Sequence, residues 1–354
     1  MTPQTSHGLY PPFPDGVDTA PLVSISLAKL EDDDVRESQN LFKASRELGF
    51  FYLNMLGSTL GEQIVQEAEQ LNEVQERFSA LPNEEKDRFA REKLDPFFGY
   101  RHLGGVVNRD GSVTRDETYN LRKDDLVGNG APLPCPTLIR ENWSLLQSYT
   151  RHCRAAIDLM LAHLERNLQL APRTLANLHR MHARSGDHVR FNRKAPDAFS
   201  EAKAKQGEHT DFGSLTILFN WLGGLQIRLP DDPTGSSRWV YVRPVPGAAI
   251  VNLGDALVKF TAGLLRSNVH RVVPAPPPQD RLERYSLVYF SRPEDAVLLK
   301  RLRGGLIDAQ PRDREEEQEM TSEEWILRRS VGDLKGVFTH DGGLERRPPV
   351  AADV

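Results

Sequence analysis

Apolar positions recur along this chain in two rhythms, and the change falls near His188. Before it the spacing is helical. Ile64, Ala68, Leu71 and Val74 line one stripe between Ser58 and Ala80, the recurrence of a helix that buries one face. From Trp143 to Leu170 the residues Leu146, Tyr149, Cys153, Ile157, Met160, His163 and Leu164 keep similar spacing and predict the longest helix. A further helix opens at Asp32, Asp33 and Asp34, where acids suit the N-terminal dipole. It runs through Phe42, Ala44 and Leu48 to Gly49, a residue suited to ending a helix. Extended segments separate these helices. Pro21 to Leu27 alternates apolar and small polar residues, Phe50 to Leu53 is aromatic and apolar, and Asp116 to Leu121 is a short strand.

After His188 the rhythm shortens. Val189–Phe191, Leu215–Phe219, Leu225–Leu229, Trp239–Val242, Ala248–Asn252, Val269–Val273 and Tyr285–Phe290 are short β-type runs separated by Gly, Pro and Asp clusters. Such a series predicts a sandwich or barrel rather than βαβ units. Leu257 to Arg266 reads as a brief helix or turn inside it, and Asp231 to Ser237 as a hairpin loop. The prolines from Pro274 to Pro278 end a strand because they cannot donate to a ladder. The acidic run Asp313 to Glu324 predicts a solvated helix whose far end docks through Trp325 and Ile326. The expected organisation is a mobile arm over 1–20, an α/β region over 21–180 packed on the core, a β core over 181–300, and a C-terminal helix and tail over 301–354.

Composition narrows the function. The chain has 354 residues, 39% of them hydrophobic, enough for a substantial core. Its 45 basic and 50 acidic residues leave a formal charge of −5. The signs are interspersed, so neither nucleic acid nor an anionic membrane is an expected partner. Cys135 and Cys153 are the only cysteines, which excludes a disulfide framework or thiolate cluster. No secretory signal or membrane-spanning run is evident. The expectation is a soluble cytoplasmic protein acting on a small molecule, with its oligomeric state unassigned.

Candidate chemistry lies between Gly207 and Ser286. His209 and Asp211 stand two apart, so in an extended segment both side chains leave one face. His270 follows on another β run. Two imidazoles and a carboxylate on one side of a metal suit non-haem Fe(II) working with O2. Arg284 and Ser286 share the face of an apolar strand, where a guanidinium and a hydroxyl can hold a carboxylate. Histidine alone is weak evidence, since the chain has ten. His179 and His182 form a rival pair, three apart, but they read as a polar helix surface.

These residues resemble the isopenicillin N synthase-like branch of Fe(II)- and 2-oxoglutarate-dependent oxygenases. The likeness runs from Pro21 to Trp325. It includes Glu47–Tyr52, Leu81–Lys86, Gly99-Tyr100, Asp116-Glu117, His209-Thr-Asp211, Gly223–Ile227, Asn252–Asp255, His270–Val272 and Arg284-Tyr-Ser286. The resemblance implies a mostly β core with flanking α-helices, a distorted double-stranded β-helix or jelly roll. It implies that His209, Asp211 and His270 bind Fe(II), and that Arg284 and Ser286 hold the distal carboxylate of 2-oxoglutarate. The implied reaction is oxygenation of a small specialised metabolite: hydroxylation, desaturation or cyclisation through Fe(IV)-oxo hydrogen abstraction, consuming O2 and releasing succinate and CO2. The chain departs from the family where a tyrosine is expected to touch the cosubstrate, having Arg193 and Lys194 instead. Tyr100, Tyr119, Arg190 and Phe212, with Phe97 and Asn120, are candidates for the substrate wall. A 2-oxoglutarate-independent iron oxidase and an inactive binding module are the alternative readings.

Overall fold

Among the residues that the computed structural model describes (10–95, 97–101, 116–194, 207–230, 238–311 and 320–335), eleven strands form two sheets. In chain order they are β1 (Ser24–Ser26), β2 (Phe50–Asn54), β3 (Gly99–Arg101), β4 (Asp116–Arg122), β5 (His188–Lys194), β6 (Leu215–Asn220), β7 (Leu225–Arg228), β8 (Trp239–Tyr241), β9 (Ala248–Leu253), β10 (His270–Val272) and β11 (Arg284–Ser291). The larger sheet has the order β1-β2-β9-β6-β11-β5-β4-β3, and the smaller β10-β7-β8. Only β1 and β2 run parallel.

Alternation along the strands divides the large sheet into two unlike faces. Phe51, Leu53, Ile217, Phe219, Leu287, Tyr289, Val189, Phe191 and Tyr119 point one way and join a large buried cluster with Ile64, Ala68, Leu71 and Val74 and with Leu146, Cys153, Ile157 and Met160. These are the apolar stripes of the helices Thr59–Ser79 and Trp143–Asn167. Each large aliphatic side chain or phenylalanine among them contributes about 1.5–3 kcal/mol by leaving water. On the opposite face, Phe50 and Ile250 meet Leu225, Ile227, Val240 and Val242 of the small sheet region. Beyond that apolar patch the inner face is mostly polar, with Val288 and Phe290 of β11 set among polar side chains. Cross-strand pairing aligns Thr216, Asn220, Asn252, Ser286, Asn192 and Arg190 on it. The two sheets thus close like a sandwich at their apolar end and hold a polar interior at the other, the jelly-roll arrangement.

Local chemistry sets the helix ends as expected. Ser58 Oγ accepts from Gly61 N at 2.9 Å, and Asp34 Oδ1 from Glu37 N at 2.7 Å, removing orphan donors from each first turn. Gly49 adopts φ +65°, and a Cβ there would lie 2.0 Å from Arg266 O, so both conformation and space require glycine. The second half of the expected mobile arm is tied down: Ala20 N donates to Tyr241 O, Tyr241 N to Asp18 O, and Gln279 Nε2 to Pro11 O. The expected hairpin loop 231–237, residues 312–319 of the acidic run, and 1–9 and 336–354 lie outside the described residues. The strands expected from Pro21 to Leu27 and at the oxygenase-like core are present with ends shifted by a few residues. No helix among the described residues is long and apolar enough to cross a membrane.

Candidate active site

His209 and His270 face each other across an isolated antiparallel bridge, each backbone N–H donating to the other's carbonyl at 3.0 and 2.9 Å. Their rings are directed by their own flanking carbonyls. Nδ1 of His209 lies 2.8 Å from Gly207 O, and Nδ1 of His270 lies 3.1 Å from Asn268 O. A carbonyl only accepts, so each Nδ1 carries the proton and each Nε2 presents a lone pair. Both Nε2 atoms lie 3.8 Å from Asp211 Oδ1. The ligand atoms of the three residues all lie within 4.8 Å of one another. Such a triangle has a common centre roughly 2.2–2.5 Å from each atom, a slight contraction away from the roughly 2.0–2.2 Å typical of nitrogen and oxygen ligation. The donor set therefore fits a divalent metal, with one side of the centre left to other ligands.

Asp211 is prepared for one-oxygen ligation. Its Oδ2 accepts from Thr216 Oγ1 and from Asn252 Nδ2, both at 2.7 Å, which leaves Oδ1 toward the histidines. Burial pushes its carboxyl up, but His270, His209 and these two donors outweigh burial and hold it below the ordinary carboxylate value. Asn252–Asp255 organises the surrounding backbone. A Cβ on Gly254 would lie 2.2 Å from Gly213 O, so only glycine permits this approach. Asp255, fully buried, accepts from Thr210 Oγ1 at 2.9 Å and Ser267 Oγ at 2.7 Å, and its N–H donates to Asp211 O at 2.8 Å. One carboxylate thereby ties the His209–Asp211 segment to the approach to His270. In the sequence these residues carry no role of their own. The signal was an acid and an amide in an apolar strand end, Ile-Val-Asn-Leu-Gly-Asp.

Arg284 and Ser286 are both buried on the inner face. Arg284 Nε donates to Gly223 O at 2.8 Å and Nη1 lies 3.4 Å from Ser286 Oγ, which also lies 3.4 Å from Asn192 Nδ2. The register separates the two basic residues found where a tyrosine was expected. Lys194 pairs with Arg284 and shares its face, whereas Arg193 pairs with Tyr285 on the other. Arg193 Nη1 donates to Glu117 Oε2 at 2.9 Å, and its Nε and Nη2 bond Glu283. Hydrogen bonds to Glu283 raise its pKa against the opposing effect of burial. Arg193 is a structural ion-pair member, and only Lys194 faces the interior.

The expected wall residues are not all brought together. Tyr100 and Tyr119 pair with each other in the β3–β4 register and pack against Phe78 at 5.9 and 4.7 Å between ring centroids. They lie on the helix-packed face, which removes them from the site wall. The one-residue alternation of β4 puts Asn120 on the inner face instead. Phe212, half-buried between Asp211 and Gly213, packs against the large apolar cluster, as does Phe97. Arg190 does reach the interior, on the face of Ser286 and Thr216. The rival pair is separated. His179 is buried after a short 3₁₀ turn, bonded to Leu175 O and Ser214 Oγ, while His182 is exposed. Burial pushes His179 down to about 3.

Comparison with known proteins agrees with this geometry. Residues 186–293 match the 2OG-Fe(II) oxygenase superfamily, and 20–137 match the N-terminal region described as non-haem dioxygenase in morphine synthesis. A 2-oxoglutarate-dependent dioxygenase of Aspergillus fumigatus is 31% identical over 316 residues, 83% of this chain and 81% of its own. The chain belongs to the 2OG-Fe(II) oxygenase superfamily. A second relative, the 2-oxoglutarate-dependent dioxygenase gloE of Glarea lozoyensis, is 28% identical over 81% of this chain and 84% of its own. The full-length T7H of Neurospora crassa, solved in complex with α-ketoglutarate, has the same fold, with a TM-score of 0.69, 20% identity, and coverage of 90% of this chain and 97% of that one. This oxygenase uses Fe(II), 2-oxoglutarate and O2. The expected jelly roll and the expected enzyme class both hold.

Proposed function

We propose that His209 Nε2, Asp211 Oδ1 and His270 Nε2 hold the iron of this oxygenase. On this reading Arg284 and Ser286 hold the distal carboxylate of 2-oxoglutarate, and the enzyme oxidises a small specialised metabolite in the cytoplasm. The observation that carries the reading is the convergence of two Nε2 lone pairs on Asp211 Oδ1, each at 3.8 Å, with both Nδ1 atoms committed to backbone carbonyls.

When bound, the iron supplies oxidation of a C–H bond by O2, coupled to conversion of 2-oxoglutarate to succinate and CO2. The chain's own residues do the rest. The Gly207 and Asn268 carbonyls keep both imidazoles neutral and oriented, which metal ligation requires. Thr216 and Asn252 occupy the second oxygen of Asp211, so the carboxylate presents one. Arg284, anchored on Gly223 O, offers its fork to a carboxylate, and Ser286 adds a hydroxyl donor beside it. That two-point hold fixes the cosubstrate's orientation, converting an encounter into a positioned reactant. Lys194, across from Arg284, adds positive charge where the family carries tyrosine. The names of the A. fumigatus and G. lozoyensis relatives support 2-oxoglutarate as cosubstrate.

The test is succinate release against a metabolite panel with Fe(II), 2-oxoglutarate and O2. Succinate should form in proportion to oxidised product, and His270→Ala should abolish both. Product formed without succinate would overturn the cosubstrate assignment. Full turnover by His270→Ala would overturn the metal assignment.

A further inference from the structure

We propose that the substrate of this oxygenase carries a carboxylate, and that Arg190 is the specificity-determining residue that receives it. The inference rests on the active-site reading above. Arg190 is built for such a contact. Its guanidinium lies over the Phe290 ring at 4.7 Å. Nε donates to Asn120 Oδ1 at 2.8 Å, and Asn120 is itself fixed because its Nδ2 donates to Phe97 O at 2.6 Å. On the other side Nη2 meets His188 Nε2 at 3.4 Å. His188 stacks on Phe290 at 4.6 Å and directs Nδ1 to Gly186 O at 2.9 Å, so its Nε2 is free to accept. Burial, and then Arg292 and Arg190, hold this imidazole well below its ordinary pKa, hence neutral. One guanidinium face and two N–H groups are thus committed to neutral partners. The remaining N–H groups include those of Nη1, on the fork edge that matches a carboxylate bidentately.

Arg190 sits among like charges. Among the described residues it has no ion pair. Burial and the like charges of Arg91, Arg101 and Arg292 pull its pKa down to about 9, and the carboxylate that opposes them, Asp211, is one of the metal ligands. A half-buried cation surrounded by like charges is costly, and a bound anion would offset that cost. The cosubstrate carboxylate held at Arg284 does not supply it. Arg190 pairs with Val288, four residues along β11 from Arg284, roughly 13 Å at the ordinary strand rise. Thr216, which supports Asp211, pairs with Phe290, two residues further on. Arg190 therefore lies level with the stretch between the cosubstrate anchor and the metal ligands but two strands across from Thr216, where a second molecule would sit beside the metal.

The test uses protein loaded with Mn(II) and 2-oxoglutarate, titrated calorimetrically with matched acids and amides: phenylacetate and phenylacetamide, cinnamate and cinnamamide, decanoate and decanamide. At least one acid should bind about tenfold or more tightly than its amide, the scale of a charged hydrogen-bonded contact. Arg190→Gln should bring that ratio within about twofold, and Arg190→Lys, which keeps the charge without the fork, should fall between. The dissociation constant of 2-oxoglutarate should change less than about twofold in both variants, which also reports that they fold. The proposal is overturned if no acid in the panel is preferred or bound by the wild type, if the preference survives Arg190→Gln, or if 2-oxoglutarate binding falls in parallel and assigns Arg190 to the cosubstrate. A wild-type protein that fails to bind 2-oxoglutarate sinks the active-site reading instead.

Discussion

Replacing Asp255 with alanine would separate two segments that its carboxylate holds together. The side chain accepts from Thr210 Oγ1 at 2.9 Å and Ser267 Oγ at 2.7 Å while fully buried. Each hydrogen bond to a charged group is worth about 1.5–3 kcal/mol, so their sum is about 3–6 kcal/mol. Removing a buried carboxylate also relieves its desolvation, which offsets part of that loss. About 3 kcal/mol of stability should disappear. Thr210 lies between two proposed ligands and Ser267 three residues before the third, so metal affinity should fall by about 10–100-fold, the scale for groups that orient ligands. Asp255→Asn keeps an acceptor and supplies an N–H to a hydroxyl that can rotate to accept it, and should recover most of both losses. Urea denaturation of metal-free protein reads the first quantity, and anaerobic Fe(II) titration with 2-oxoglutarate reads the second. An alanine variant within about 1 kcal/mol of wild type and with unchanged metal affinity would refute the idea that Asp255 organises the site.

Three further outcomes follow from other parts of the structure. Arg284→Gln should weaken 2-oxoglutarate by about tenfold or more, with little change in metal affinity measured without cosubstrate; equal cosubstrate binding would remove Arg284 from the anchor. Glu117→Leu leaves Lys86 Nζ, 2.5 Å from that carboxylate and 2% exposed, without its ion partner, and should cost about 3–5 kcal/mol in urea denaturation; a loss below about 1 kcal/mol would contradict the pair's role. His179 and His188 are held neutral by burial, with His179 at about 3. The unfolded chain binds protons at these sites near pH 6.5 and the folded chain does not. Their stabilising contribution is therefore present above about pH 6.5 and lost progressively as pH falls below it, by up to about 1.4 kcal/mol per pH unit for each. Denaturation of the metal-free protein at pH 7.5, 6.5 and 5.5 should show this decline, and a flat profile would contradict it.

Periodicity determined where the long helices and most of the strands run, because each buries a face and burial repeats at 3.6 or 2 residues, whereas β3 and the short helices were not legible in it. Thr59–Ser79, Trp143–Asn167 and the strands from β5 to β11 were all legible in this way. So were the proposed ligands, because His-x-Asp in an extended segment presents both side chains on one face. What periodicity leaves undetermined is which alternate face meets water, a helix layer or an enclosed polar interior. Tyr100 and Tyr119 looked like wall residues and proved to pack on Phe78, whereas their neighbour Asn120 turns inward to fix Arg190. Arg193 and Lys194 are adjacent in sequence yet serve an ion-pair network and the interior respectively. These assignments depend on register between strands far apart in the chain, where one residue of slip exchanges the faces. The carbonyls that set the His209 and His270 tautomers, and the Asp255 tie between their segments, likewise exist only once those distant segments are paired. The sequence by itself specified the chemistry available; long-range pairing decided which of it converges.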